Sequence, residues 1–382
     1  MWGLVNVMKK NDRNSNFELM RIISMLFIVL CHIIGHGNVI NNCNNQSLKI
    51  VLEIIKFTTY VHVNSFILLT GFFQSKSFFK QSKIWSLINS VTFYKIVICV
   101  IFSSFGIIFL SKGELFFSLL PLNNDEYWFV NYYILLYCFS PFLNIVIERM
   151  SKKEFSNLLF IMFLFFSVLP LFSFYKSMSN NGFSLYDFIF LYLIGGFLRK
   201  YPIERSYLFR RFSRNFNQVI FIFVFIICII INYVFYKYSF TIYGVNSVLN
   251  ILSDTMRMYS SSYNNMIIII QCLSYFLFFK NLCFKSKFIN KIASNVMGVY
   301  LISDNNFVRS YIYKWLNIDV PNIYSFSFII YIFIVTLLIF TSCLFIEFIR
   351  KFIFKSIYKL KISAKIRDKY YNYLRGIEIK EE

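Results

Sequence analysis

The segment ELMRIISMLFIVLCHIIGH carries four ionisable side chains inside a long apolar run: Glu18, Arg21, His32 and His36. An ionisable residue at membrane depth is costly, so it usually faces the protein interior or a wet cavity and suggests a function. A histidine titrates near neutral pH, so it can take a proton from a hydroxyl nucleophile and return it to a leaving group. Proton transfer of this kind fits acyl transfer to a hydroxyl, and His32 is the residue of the segment placed to carry it.

Helical spacing places three of these side chains on one face of the helix. Arg21 and His32 are eleven residues apart, so they share one helix face and lie about 16 Å apart along its axis. His36 is one turn beyond His32 on that face. The alternative is structural: Arg21 would reach the lipid headgroups, and His32 would hydrogen-bond a neighbouring helix.

The composition of the chain indicates the element that must carry this segment. Hydrophobic residues make up 58% of the 382 residues and charged residues only 15%, against about one-quarter charged in soluble domains. Since one crossing takes roughly 20 apolar residues, we predict an all-α, polytopic transmembrane bundle of about ten spans. The predicted spans lie near 17–36, 51–73, 84–110, 127–147, 158–175, 184–198, 216–236, 262–279, 292–312 and 324–349.

The distribution of Lys and Arg predicts the orientation, because cytoplasmic loops of membrane proteins are enriched in both. With ten spans and both termini in the cytoplasm, the inside segments hold 29 of these residues and the outside loops hold 6. Residues 1–349 then form the membrane domain and residues 350–382 a basic cytoplasmic tail, suited to an anionic lipid surface. The stretch 238–261 is too polar to span, and it predicts an outer loop or a re-entrant segment.

Two other classes of site are disfavoured by the sequence. The net charge of +21 comes from short Lys and Arg clusters between apolar runs, which is typical of positive-inside loops rather than of a nucleic-acid binder. The eight cysteines have no paired spacing, and most fall inside apolar runs, where a thiol behaves as a small hydrophobe. We predict no disulfide framework, no metal site and no nucleic-acid partner.

Several short motifs, in order along nearly the whole chain, resemble the acyltransferase-3 family of membrane acyltransferases, which includes bacterial surface-polysaccharide O-acetyltransferases. The first is the basic residue and histidine of span one, Arg21 and His32. The others are VNSFILLTGFF (63–73), YWFV (127–130) and NVMGVYLISDNNF (295–307). Two positions depart from the family pattern: Thr70 stands where Ser is usual, and Ser303 where a late His is common. Asp304, beside Ser303, is then the available titratable neighbour.

The resemblance implies a function and a set of partners. The acyl donor would be acyl-CoA from the cytoplasm, with acetyl-CoA expected. It would acylate a sugar hydroxyl of an envelope polysaccharide or lipid-linked glycan precursor, and no metal would be needed. The protein would be a multi-pass protein of the bacterial plasma membrane. Glu18 and Arg21 would face CoA, whose phosphates attract cations. Other cations expected on that side are Lys76, Lys80, Lys83, Arg199 and Arg205; the candidates for lining the substrate cavity are His36, Asn64, Trp128, Asn131, Tyr300 and Asp304.

Two other functions stay open at this point. A transporter or flippase of lipid-linked sugars would also have many spans and a polar cavity, but it predicts charges spread over several spans. Here Lys56, Lys95 and Arg309 are scattered, and the dense set is in span one. A glycan polymerase would more naturally carry a long outer loop with Arg and His, whereas the longest predicted outer loop has Arg257 and no His.

Overall fold

The structure is a computed structural model that describes residues 14–109, 111, 113, 120, 127–172, 180–203, 206–244, 247–316, 318 and 325–359. These residues are predominantly helical, as the composition predicts. A π-helical turn, Leu164–Val168, and a 3-10 turn, Leu169–Phe172, follow directly on the helix Lys152–Phe163. The α-helices are α1 Ser15–His36, α2 Gln46–Thr59, α3 Val61–Gln74, α4 Gln81–Ser104, α5 Trp128–Arg149, α6 Lys152–Phe163, α7 Leu185–Lys200, α8 Tyr207–Arg211, α9 Arg214–Thr241, α10 Ser247–Ser260, α11 Met266–Lys280, α12 Lys287–Ala293, α13 Val296–Ser303, α14 Asn306–Trp315 and α15 Ser327–Lys359.

Seven helical segments of the described chain are long and apolar enough to cross a membrane. They are α1, α2 with α3, α4, α5, α6 with its extension, α9 and α15. These segments make the protein a multi-pass membrane protein. The count of ten spans and the cytoplasmic termini remain predictions, because α7 and α11 are shorter and the region of the ninth predicted span is broken.

Helix α1 lies at the centre of the bundle. It packs against α2, α3, α11, α12, α13 and α15, so its faces meet protein on several sides. Its buried residues include Met20, Met25 and Ile33. This placement explains how a helix with four ionisable side chains is accommodated: those side chains meet cavities and polar partners inside the bundle rather than lipid.

Helices α3 and α7 approach each other closely, and the approach depends on two glycines. A Cβ on Gly71 would lie 2.1 Å from the carbonyl oxygen of Tyr192, and one on Gly195 would lie 2.3 Å from that of Leu68. Small residues let helix backbones approach closely in membranes, where van der Waals packing replaces the hydrophobic effect as the driving force. Gly71 belongs to the LTGFF motif, so this motif has a packing role that its sequence alone does not reveal.

The ninth predicted span, 292–312, is not one continuous helix. Its residues belong to α12, α13 and α14, with breaks at Ser294–Asn295 and at Asp304–Asn305. The second break has a local cause: the Asn305 side chain accepts hydrogen bonds from the backbone N–H groups of Phe307 and Val308, which caps α14. The prediction of an unbroken span missed this cap, because the apolar period continues on both sides of it.

Two other predicted boundaries differ in detail. The polar stretch 238–261 is not an open loop in its second half but forms α10, which packs against α9. The last span continues past residue 349 to Lys359 in one helix, so the start of the predicted tail is part of α15. Residues 360–382 of that tail lie outside the described residues.

Candidate active site

Two cavities inside the bundle contain most of the residues singled out by the sequence. The first, here called the histidine cavity, has a volume of about 630 Å³. Helices α1, α2, α3, α5, α13 and α14 contribute to it. Its ionisable lining residues are His32, His36, Lys56, His62, Tyr60, Tyr263, Tyr300, Cys31, Asp304 and Arg309.

His32 meets a carboxylate in this cavity. Its Nδ1 lies 3.2 Å from Oδ1 of Asp304, and only 19% of the His32 side chain and 6% of the Asp304 side chain are exposed. The two atoms are at hydrogen-bonding distance, although the ring is not turned to make a well-aligned hydrogen bond. The contact joins α1 to the break after α13, so residues 272 positions apart along the chain form one unit.

Arg309 is the third member of this unit. Its Nη1 donates to Asp304 Oδ1 at 2.9 Å and lies 3.4 Å from Nε2 of His36. The guanidinium also donates from Nη2 to the side chain of Asn306 at 3.0 Å. These contacts hold the Asp304 carboxylate beside His32, where it can orient the His32 ring.

The same cluster meets the distance criterion for a metal site. One ligand atom each from His32, His36 and Asp304 lies within 4.8 Å of the others. However, the positive charge of Arg309 already contacts both Asp304 and His36, and a metal ion there would face a like charge. The donor set therefore fits proton transfer better than metal binding, and the absence of a metal cofactor remains a prediction.

The position of Asp304 is fixed by the break that Asn305 creates. Asn305 Nδ2 donates to the phenol oxygen of Tyr127 at 3.1 Å, and that phenol donates to the carbonyl of Leu301 at 2.7 Å. Arg309 is one turn into α14 and reaches back toward the break. The LISDNNF motif thus ends one helix, caps the next and presents Asp304 to the cavity.

An aromatic cluster forms another part of the histidine cavity. The ring of Trp128 is centred 4.4 Å from that of Phe183 and 6.1 Å from that of Tyr263. Tyr263 in turn has its hydroxyl 3.1 Å from Nε2 of His62. His62 is fully buried, and its Nδ1 contacts the backbone oxygen of Thr59. We assign His62 to packing of this cluster, since both of its ring nitrogens have partners.

The second cavity, here called the arginine cavity, has a volume of about 520 Å³ and contains Arg21 and Glu18. Arg21 Nη1 donates to Glu18 Oε1 at 2.6 Å, and 29% of the Arg21 side chain is exposed. Three further cations line it among the described residues: Lys83, Arg350 and Lys351. With the carboxylates of Glu18 and Glu347, the lining carries more positive than negative charge.

Glu347 organises one side of the arginine cavity. Its two carboxylate oxygens accept from Arg350 at 2.7 and 2.8 Å, and the phenol of Tyr94 donates to it at 2.5 Å. Lys351 Nζ lies 3.3 Å from the same carboxylate and donates to the backbone oxygen of Ser294 at 2.6 Å. A bidentate pair of this kind fixes the position of the Arg350 guanidinium in the cavity wall.

The two cavities adjoin each other. Four apolar residues line both of them: Met25, Phe66, Phe129 and Met297. His32 and Arg21, which the sequence places on one face of one helix, thus open into different cavities on either side of this boundary.

Some predicted site residues lie elsewhere. Asn64 lines neither cavity; it is buried and donates to the backbone oxygen of Tyr263 at 2.8 Å. Asn131 also lies outside both linings. Lys76 and Arg199 line a separate cavity of about 510 Å³. Lys80 lies outside these linings, with its backbone N–H donating to Tyr137, and Arg205 is outside the described residues.

Several other functional candidates line the two cavities and are inconspicuous in the sequence. Arg309 and Lys56 were noticed only as scattered charges, although both occur in predicted spans and both line the histidine cavity. Glu347 and Arg350 were not singled out. Their signal in the sequence is a carboxylate near the end of the last predicted span with a basic residue three positions later, which is the spacing of a helical ion pair.

Comparison with known families identifies the class of protein that these cavities belong to. The model of the acyltransferase-3 family, described as an acyltransferase domain, matches residues 14–348. The match includes α1, the lining of the histidine cavity and that of the arginine cavity except Arg350 and Lys351. It covers nearly all of the chain, so the protein belongs to the acyltransferase-3 family and is a multi-pass membrane acyltransferase. The resemblance inferred from the motifs is thereby confirmed. No curated protein and no solved structure matched the chain.

Proposed function

We propose that this acyltransferase moves an acyl group, acetyl in the expected case, from cytoplasmic acyl-CoA to a sugar hydroxyl of an envelope polysaccharide or a lipid-linked glycan precursor. The site of action would be the plasma membrane of a bacterial cell. The observation that carries the proposal is the placement of His32 against Asp304 in a cavity that directly adjoins a second cavity lined by cations.

The arginine cavity is the proposed donor site. Coenzyme A carries several phosphate charges, and Arg and Lys recognise phosphate through charge-assisted hydrogen bonds. Arg21, Lys83, Arg350 and Lys351 supply such donors around one space. The predicted orientation places this cavity at the cytoplasmic side, where the basic loops lie and where acyl-CoA is available.

The histidine cavity is the proposed site of transfer. His32 takes the proton of the acceptor hydroxyl, and the acceptor oxygen forms a bond to the thioester carbonyl carbon. The carbon–sulfur bond then breaks, and His32 returns the proton to the departing CoA thiolate. A small turn of the His32 ring lets Nδ1–H donate to Asp304, which then stabilises the imidazolium, so the lone pair that accepts the proton is on Nε2. Arg309 positions Asp304 without contacting the reacting atoms.

A polar extension of the histidine cavity supports a hydroxyl-rich acceptor. A small adjoining cavity of about 120 Å³ shares Gly35, Lys56, Tyr60 and Ser261 with it. The extension adds Asn38, Asn41 and Glu53, and Glu53 pairs with Lys237 at 2.7 Å. Amide and carboxylate groups of this kind provide the mixed donors and acceptors that sugar hydroxyls require.

The decisive experiment follows the acyl group itself. Purified protein in proteoliposomes is supplied with acetyl-CoA labelled in the acetyl group, with and without bacterial envelope glycan fractions. We expect label on a glycan ester, dependent on acceptor and lost in His32→Ala. A metal chelator should leave the rate unchanged, because the proposed mechanism uses no metal. Absence of both transfer and thioester hydrolysis by the wild-type protein would contradict the proposed function.

The orientation has its own test. Single cysteines are introduced after the exposed Cys138 and Cys283 are replaced. Positions in 199–215 and 355–375 should react with a membrane-impermeant reagent only from inside, and positions in 113–125 only from outside. Labelling of 199–215 from the outside would overturn the ten-span orientation and place the arginine cavity on the wrong side for acyl-CoA.

A further inference from the structure

The boundary between the two cavities is built from one side chain on each of four helices. Met25 comes from α1, Phe66 from α3, Phe129 from α5 and Met297 from α13, and each lines both cavities. We call these four side chains the apolar ring. All four side chains are apolar, whereas both cavities contain several charged and hydroxyl groups. The ring therefore separates two polar spaces with an apolar zone.

The ring has a rigid half and a flexible half. The rings of Phe66 and Phe129 are centred 6.2 Å apart and meet edge to face. Phe129 is held further by Tyr133 at 6.0 Å and Tyr300 at 6.1 Å. Methionine is unbranched and has three rotatable side-chain bonds, so Met25 and Met297 can adapt their shape more readily than the phenylalanines.

The proposed function requires something to cross this boundary. The phosphates of the donor are held by cations of the arginine cavity, whereas the base His32 is in the histidine cavity. Arg21 and His32 are about 16 Å apart along α1, so the thioester end of the donor must extend past Met25 to reach His32. The charged nucleotide stays behind, because an apolar constriction strongly disfavours desolvated phosphate.

Resting on that proposed function, we propose that the apolar ring is the passage for the acyl-thioester arm and that it selects acyl groups by their cross-section. A straight acyl chain is no wider than the arm that follows it, and displacement of the two methionines admits both. An acyl group that branches beside the carbonyl is wider at its leading end and collides with the fixed edge-to-face pair Phe66 and Phe129.

The test compares two donors with the same number of carbons and different widths, n-butyryl-CoA and isobutyryl-CoA. The measured quantity is the ratio of their kcat/KM values for transfer to one glycan acceptor. The wild-type protein should prefer the straight chain by roughly 10-fold or more, the scale on which apolar sites discriminate by one methyl group. Phe129→Ala should lower this ratio to about 1–3, because the rigid edge is gone.

Matched variants keep the result interpretable. Phe142→Ala makes the same chemical change on the same helix at a side chain that is 67% exposed, so its ratio should equal that of the wild type. Phe129→Leu is a milder second variant for the case in which Phe129→Ala does not fold, and it should lower the ratio by a smaller factor. Met297→Ala should raise the use of both donors and change the ratio less than Phe129→Ala.

Two results would overturn this proposal while leaving the proposed function intact, and a third would overturn both. A wild-type protein that transfers both acyl groups equally well, or a ratio that is the same in wild type, Phe129→Ala and Phe129→Leu, would remove the ring as a selector while leaving acyl transfer intact. A wild-type protein that transfers from no acyl-CoA would overturn both proposals together.

Discussion

The histidine cavity and the arginine cavity arrange their charged groups differently. In the histidine cavity the Asp304 carboxylate contacts both His32 and the guanidinium of Arg309, so this cluster is paired within itself and suits movement of one proton. In the arginine cavity the cations exceed the carboxylates, which suits an anion that arrives from outside the protein. Because of this difference, we expect substitutions in the histidine cavity to affect kcat and substitutions in the arginine cavity to affect KM.

The largest effect is expected at His32. If His32 is the general base, His32→Ala should lower kcat by roughly 10²–10⁴-fold, the range for general acid–base catalysis. Membrane insertion should survive, since removal of an imidazole from an apolar helix does not hinder insertion. His36→Ala is the control one turn away and should lower kcat less. A His32→Ala protein with normal kcat at wild-type expression would remove the catalytic assignment.

Asp304→Asn should come next, since Asp304 positions the base instead of touching the substrate. The isosteric amide keeps the volume but removes the charge that stabilises the imidazolium, so kcat should fall on the order of 10²-fold. KM for the acyl-CoA should stay near its wild-type value, because Asp304 is not in the arginine cavity. A change confined to KM would contradict this role and would assign Asp304 to the donor site.

Arg21→Ala tests the other cavity. Loss of a charge-assisted hydrogen bond to phosphate should raise KM for acetyl-CoA by roughly 10-fold, with kcat little changed. Arg21→Lys should retain part of the affinity because the cation remains. The matched control is Arg257→Ala: Arg257 pairs with Asp254 at the same helical spacing but outside both cavities. Should Arg21→Ala leave KM unchanged, Arg21 would be a structural anchor.

The smallest effect is expected at Lys83, a single flexible cation of the arginine cavity that donates to Gln74 at 3.2 Å. Lys83→Ala should raise KM for acetyl-CoA by about 2- to 5-fold, as partly exposed ion pairs contribute less than about 1 kcal/mol. The increase should shrink at high salt, because ions screen such pairs. An effect that is independent of salt would mean that Lys83 acts through packing.

Much of this protein follows from its sequence because lipid imposes a simple rule. A chain in a membrane must satisfy its backbone hydrogen bonds internally, so long apolar runs become helices. The same rule makes His32 and Arg21 conspicuous, since ionisable residues are rare at that depth. The multi-pass helical class, the first helix and its catalytic candidates, and the family were all predicted from these signals, and the family and helical class are confirmed.

Tertiary structure decided which other residues lie beside His32 and Arg21. Nothing in the spacing of these residues shows that Asp304 meets His32 or that Arg309 meets Asp304 and His36. These contacts depend on the cap at Asn305 that breaks the predicted ninth span. Asn64 is a polar side chain in an apolar helix, as a cavity residue would be, but it is buried and its amide donates to the backbone oxygen of Tyr263. The apolar ring was invisible for a related reason: Met25, Phe66, Phe129 and Met297 are ordinary residues of apolar helices, and only the convergence of four helices places them between two polar spaces.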